Sequence, residues 1–129
     1  MQEVVIVSGA RTPIGRFGGA FKDVSASELG SLVIRSALEQ ANIRPDQVDE
    51  VVLGNALQTA EAGYAARLAS IGAGIPDEVP TIAINRQCSS GLEAINMAAP
   101  WVTCNMCPAI VACIAVFFFN IFNKGFRSI

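Results

Sequence analysis

Short β-branched runs alternate along this chain with stretches whose apolar residues recur at helical spacing, and that alternation constrains the fold more than anything else in the sequence. Val4-Val5-Ile6-Val7, Val51-Val52-Leu53 and Val79-Pro80-Thr81-Ile82-Ala83-Ile84 read as strands. Between the first two, Ser25 and Glu28 have the spacing of a capping box, and Leu29, Leu32, Val33, Ala37, Leu38 and Ala41 trace a helix as far as Asn42. Arg44-Pro45-Asp46 ends that helix, because the residue before a proline is pushed out of the α region. A second helix is expected from Tyr64 to Ile71, with Leu68 and Ile71 turned inward, followed by a loop from Gly72 to Asp77. Strand, helix, strand, helix, strand is the order of an α/β fold, a mainly parallel sheet flanked by crossover helices.

Composition narrows the function classes. The 129 residues carry a net charge of −2 with no basic stripe, which argues against nucleic acid as a partner. Glu3, not a basic region, precedes the first expected strand, so the start reads as neither a secretory signal nor a transit peptide, and a cytoplasmic setting is expected. Four cysteines in that setting read as free thiols, not a disulfide framework.

One cysteine stands apart by position. In Asn85-Arg86-Gln87-Cys88-Ser89-Ser90-Gly91-Leu92-Glu93-Ala94-Ile95, Cys88 falls between the third expected strand and a helix whose apolar face begins with Leu92, Ile95 and Met97. Ser90 and Glu93 match a second capping box, which sets the helix start two residues after Cys88. A sulfur there faces unpaired helical amides and the positive end of the helix dipole, which favour a thiolate. Most free cysteines are inert packing, so position alone leaves the ordinary reading of Cys88 ahead of the nucleophilic one. Arg86 is closer to a solvated side chain than to a thiolate partner, given the alternation of side chains along a strand. The glycines from Gly15 to Gly19, with Arg11, Arg16 and Lys22 nearby, could be taken for a phosphate cradle. Their spacing matches neither the dinucleotide fingerprint nor the P-loop, and a tight turn is the better reading.

Three segments in order, Ser8-Gly9-Ala10-Arg11-Thr12-Pro13-Ile14-Gly15-Arg16-Phe17-Gly18-Gly19, Val52-Leu53-Gly54-Asn55-Ala56-Leu57-Gln58 and Asn85 to Ile95, resemble the thiolase family, the acetyl-CoA acetyltransferases and 3-ketoacyl-CoA thiolases. The resemblance runs from Gln2 to Ala99. It implies a thiolase-like N-terminal domain over residues 1–99, one half of a five-layered αβαβα fold that assembles as dimers or tetramers in the family. It further implies that Cys88 accepts the acyl group of an acyl-CoA such as acetyl-CoA as a covalent thioester, with coenzyme A thioesters as substrates and no tightly bound cofactor. The family completes this chemistry with a histidine from a Gly-His-Pro motif, an Asn-Glu-Ala-Phe segment and a second cysteine in Cys-x-Gly. None of these occurs here, and the sequence contains no histidine. Since an ordinary thiol is only slightly ionised at neutral pH, slow reactivity without efficient turnover is the expectation. The alternative from another class is an inactive truncated fragment that associates with intact thiolase subunits or with a membrane.

Residues 100–129 are expected to form a divergent apolar tail. No charged residue occurs from Ala94 through Asn123, and Ala109 to Phe119 is unbroken apolar sequence. Such a tail reads as a frameshift, an unspliced reading or a truncated product. Trp101 to Phe122 approaches the roughly 20 residues of a membrane span, with Lys124 and Arg127 as a flank. Pro100, Asn105, Pro108 and Asn120 argue against a span and for a partly buried, adhesive segment. Cys104-x-x-Cys107 has no second pair and no histidine, and Cys113 would make only three ligands, so no metal site is expected.

Overall fold

A computed structural model describes residues 3–57 and 64–115. Gln58 and the residues after Ala115, including Phe117 to Phe119, Lys124 and Arg127, lie outside the described residues. The elements in order are α1 (Ala26–Ala41), a 3-10 turn (Pro45–Gln47), β1 (Glu50–Asn55), α2 (Ala65–Gly72), β2 (Thr81–Ile84), α3 (Ser90–Thr103) and β3 (Ile110–Ala115). The strands form one parallel sheet in the order β2-β1-β3, with Val51 opposite Thr81 on one side and Val111 on the other. This is the expected α/β architecture, with β1 as its central strand.

β1 is buried along nearly its whole length because both faces are covered. Val51 joins Ile34 and Leu38 of α1, Ala69 of α2 and Val48, Ala73 and Ile75 in one core cluster. Leu53 joins Ala26, Ala65 and Ala66 in a second. The alternate residue Gly54 faces α3 instead, so helices lie on both sides of the sheet.

α1 forms as its sequence dictates. Ser25 is the N-cap; its hydroxyl accepts from the Glu28 N–H at 3.2 Å, and the Glu28 carboxylate accepts from the Ser25 N–H at 2.7 Å. All three helices close in the same manner, with a left-handed residue just past the helix. Asn42 (φ 53°), Gly74 (φ 87°) and Asn105 (φ 56°) each donate to a carbonyl three residues back, and the next residue, Ile43, Ile75 or Met106, donates five residues back. The Gly15 to Gly19 loop is a tight turn, with Gly18 at φ 65° and Gly19 N–H bonded to the Arg16 carbonyl at 2.9 Å.

Three local expectations fail. Val4 to Val7 are not a strand; they pair with none of β1, β2 and β3, and Ile6 is 81% exposed. Leu68 and Ile71 do not face inward. A Cβ on Gly30 of α1 would approach the Ala69 Cβ to 2.9 Å, so α2 turns its small residues Ala65, Ala66, Ala69 and Ser70 inward and leaves Leu68 and Ile71 about half exposed. On α1 the same closeness buries Gly30, Ser31 and Ile34 and leaves Leu32 out. Pro100 lies inside α3, which continues to Thr103. The proline removes only the N–H that would reach Asn96, and both residues are exposed, so the released carbonyl meets water. Residues 110–115, inside the expected tail, then supply β3, whose arrival is fixed by Asp49: its N–H donates to the Ala109 carbonyl at 2.9 Å and its carboxylate accepts from the Ala109 N–H at 2.8 Å.

The Ser25 backbone N–H and then its hydroxyl hold the Glu28 carboxyl below its ordinary value. The stability this contributes is complete above the ordinary glutamate range and is lost as pH falls through the folded-state value. Ser25→Ala is expected to cost about 1 kcal/mol at neutral pH. Denaturant unfolding at neutral and acid pH should show that this deficit shrinks on acidification, and an unchanged deficit would contradict the assignment.

Candidate active site

The five residues between β2 and α3 make a compact bend held by its own side chains. Gln87 takes a left-handed conformation at φ 52°, uncommon for a residue with a Cβ. Its N–H donates to the Asn85 Oδ1 at 3.0 Å, and the Asn85 Nδ2 donates to the Ala56 carbonyl just past β1 at 3.1 Å. The expected capping box at Ser90 and Glu93 is not formed. Ser89 is the N-cap, and its hydroxyl donates backward to the Arg86 carbonyl at 2.9 Å. The Ser90 hydroxyl also points back, accepting from the Arg86 N–H at 2.9 Å and donating to the Gln87 carbonyl at 2.7 Å. Glu93 pairs instead with Arg86 at 2.7 Å, so the arginine, 65% exposed, is engaged by a carboxylate and not by the sulfur.

The helix start sits hard against the sheet. A Cβ on Gly54 would lie 2.7 Å from the Ser90 carbonyl carbon and oxygen and 2.9 Å from the Gly91 nitrogen. Only a glycine in β1 permits that approach. Ser90, Ala94 and Ala98 are the buried face of α3, which corrects the expected face of Leu92, Ile95 and Met97: Leu92 is 62% exposed and Ile95 43%. Small residues are needed where the helix meets the sheet this closely.

Cys88 is exposed, two residues ahead of the first residue of α3. It borders a cavity of about 780 Å³ that also touches Leu29 and Val33 of α1, Leu92 and Ile95 of α3, and Val111 and Cys113 of β3. The segment Ser8 to Gly15 forms a further wall, tied to α1 by the Ser8 hydroxyl donating to the Ala37 carbonyl at 2.8 Å. The first and third sequence segments singled out above thus meet at one cavity, and Gly54 of the second lies directly beneath the bend. Position at a strand-to-helix junction was readable in sequence. The parts played by Asn85, Ser90 and Gly54 were not, although a glycine inside a β-branched run is itself a signal of close backbone approach.

The other cysteines have different surroundings. Cys104 is exposed at the end of α3. Burial, then the neighbouring Glu50 carboxylate, pushes the Cys107 thiol up, and its S–H donates to Glu50 Oε2 at 3.7 Å. Cys113 packs against both core clusters, and burial pushes its thiol up to about 12. Among the described residues, no group of three or more histidine, cysteine or acidic side chains could hold a metal ion, and no helix is long and apolar enough to cross a membrane.

A parallel sheet between helices, with an exposed cysteine bordering a cavity at the start of a helix, is the arrangement of this α/β domain. Residues 4–114 match the thiolase N-terminal domain, and the chain belongs to the thiolase family. It is 48% identical over 98 residues to a probable acetyl-CoA acyltransferase of Staphylococcus epidermidis, covering 76% of this chain and 25% of that protein. With the acetyl-CoA acetyltransferase of Cupriavidus necator it shares 45% identity over 112 residues, 87% of this chain and 28% of the relative. Among solved structures, the Bacillus anthracis acetyl-CoA acetyltransferase superposes with a TM-score of 0.79 at 40% identity, over 85% of this chain and 28% of that one. Human mitochondrial 3-ketoacyl-CoA thiolase in complex with CoA gives 0.73 at 37%, over 78% and 26%. The chain therefore spans about a quarter of the length of these relatives.

At mildly alkaline pH, iodoacetamide should label Cys88 and Cys104 readily and half-buried Cys113, its thiol pushed up to about 12, far more slowly until the chain unfolds. Peptide mass analysis measures each rate, and quick labelling of Cys113 in the folded chain would contradict its burial.

Proposed function

We propose that this chain carries the acyl-accepting part of an acyltransferase that moves acyl groups between coenzyme A thioesters, with Cys88 as the nucleophile. The observation that carries the reading is the setting of Cys88: exposed at the head of α3, on the rim of an apolar cavity, in a chain of the thiolase family. The Cys88 sulfur, as thiolate, adds to the thioester carbonyl carbon of an acyl-CoA. The resulting tetrahedral oxyanion collapses, the carbon–sulfur bond to coenzyme A breaks, and the coenzyme leaves as a thiolate that takes up a proton. The acyl group remains as a thioester on Cys88. In the condensing direction the carbanion of a second acyl-CoA attacks this thioester and the Cys88 thiolate leaves. In the cleaving direction the acyl-enzyme forms instead when the sulfur adds to the keto carbon of a 3-ketoacyl-CoA, whose carbon–carbon bond breaks to release an acetyl-CoA carbanion that is protonated; free coenzyme A then takes the acyl group and frees the thiolate.

Both directions require proton transfers and donors for the oxyanion. The 129 residues contain no histidine to act as a base, so the chain by itself accepts an acyl group slowly and does not turn over efficiently. The relatives' names and the coenzyme A bound to the human thiolase support thioesters of coenzyme A as the substrate class.

Incubation with acetyl-CoA followed by intact mass and peptide mapping should reveal one added acetyl group on Cys88, absent in Cys88→Ala and accumulating without steady release of product. Acetylation spread evenly over Cys88 and Cys104, or none at all, would sink the proposal; in the second case, co-sedimentation with intact thiolase subunits or with membranes would favour an associating, inactive chain.

A further inference from the structure

Four side-chain hydrogen bonds in the bend before α3 hold the backbone N–H and carbonyl groups of Arg86 and Gln87, and none caps the helix itself. Gln87 is gripped at both ends: Asn85 accepts its N–H at 3.0 Å, and the Ser90 hydroxyl donates to its carbonyl at 2.7 Å. That carbonyl belongs to the peptide joining Gln87 to Cys88, so fixing its direction fixes the whole peptide plane and with it the path of the chain into Cys88. The left-handed conformation of Gln87 persists only where surroundings hold it. Asn85 anchors the bend to the end of β1 through Ala56, and Ser90, fully buried above Gly54, anchors it to the helix.

We propose that Asn85 and Ser90 are the positioning residues of this site, holding the Gln87–Cys88 peptide so that the sulfur stays at the head of α3 facing the cavity. The proposal rests on Cys88 being the acyl acceptor. Its physical logic is pre-organisation: a sulfur free to swing away from the cavity rim spends less time where a reacting carbonyl can reach it.

The test uses the whole chain and its own cysteines as references. Iodoacetamide labelling of Cys88 is measured against exposed Cys104, while half-buried Cys113, its thiol pushed up to about 12, reports unfolding. Asn85→Ala and Ser90→Ala should each lower the Cys88-to-Cys104 rate ratio on the order of fivefold, the value of one lost hydrogen bond, with Cys113 still protected. Asn85→Asp keeps the acceptor for the Gln87 N–H while losing the donor to Ala56, and should recover most of the ratio. A purely structural role would instead expose Cys113 and raise labelling throughout. If Ser90→Ala unfolds, the exposed Asn85 decides: a ratio within about twofold of the unsubstituted chain in Asn85→Ala overturns the proposal. No recovery in Asn85→Asp overturns the role of Asn85 at Gln87. Acetylation by acetyl-CoA is scored in parallel. Its absence in a chain whose Cys88 alkylates quickly and depends on Asn85 would reject the acyl-transfer reading while leaving the positioning intact.

Discussion

The contact between Gly54 and the first turn of α3 is the constraint on which the site depends. With no side chain at 54, the Ser90 carbonyl and the Gly91 nitrogen come within a distance that a Cβ would forbid. That approach sinks Ser90 completely, and a buried hydroxyl must find partners nearby. The backbone of Arg86 and Gln87 supplies them. A glycine in the central strand thereby fixes the five-residue bend between two other elements, and the bend leaves the sulfur of Cys88 outward at the helix head. Packing and chemistry are coupled here through backbone proximity, not through any group that touches the sulfur.

A related economy of size organises the opposite face. α1 and α2 meet through Gly30, Ser31 and Ala69, with the Ser31 hydroxyl bonded to the Ser27 and Ala69 carbonyls. Arg35 adds a bond from its guanidinium to the Gly72 carbonyl at 2.6 Å. Large apolar residues are displaced to the rim of the interface, which is why hydrophobic periodicity overstated the burial of Leu32, Leu68 and Ile71. Periodicity ranks faces by apolarity, whereas helices in close contact rank them by bulk.

Sequence was informative where the determining interaction is local. The Ser25–Glu28 box, the helix ending at Asn42, the strands at Val51 and Thr81 and the place of Cys88 all follow from neighbours within a few residues. It failed where the determining partner is distant. Val4 to Val7 have the composition of a strand but stay outside the β2-β1-β3 sheet, and Ile110 to Ala115, within an expected divergent tail, pair in register with the whole of β1. The Ser90–Glu93 pair has the spacing of a capping box, yet Arg86 captures the glutamate and the bend captures the serine. Nothing in a one-dimensional pattern ranks those competitors.

The pairing of β1 with β3 has a kinetic side. The bracket between Asp49 and Ala109 closes a loop of sixty residues, and the central strand emerges from the ribosome well before the segment that covers its second edge. Contacts this remote in sequence form late, because the entropy of closing the intervening chain must be met first. α1, α2 and the β1–β2 pair can gather while one side of β1 is still bare. Through that interval of synthesis the chain presents an unsatisfied apolar strand, and its yield of folded molecules is governed by how soon Ile110 to Ala115 arrive relative to an encounter with another nascent chain.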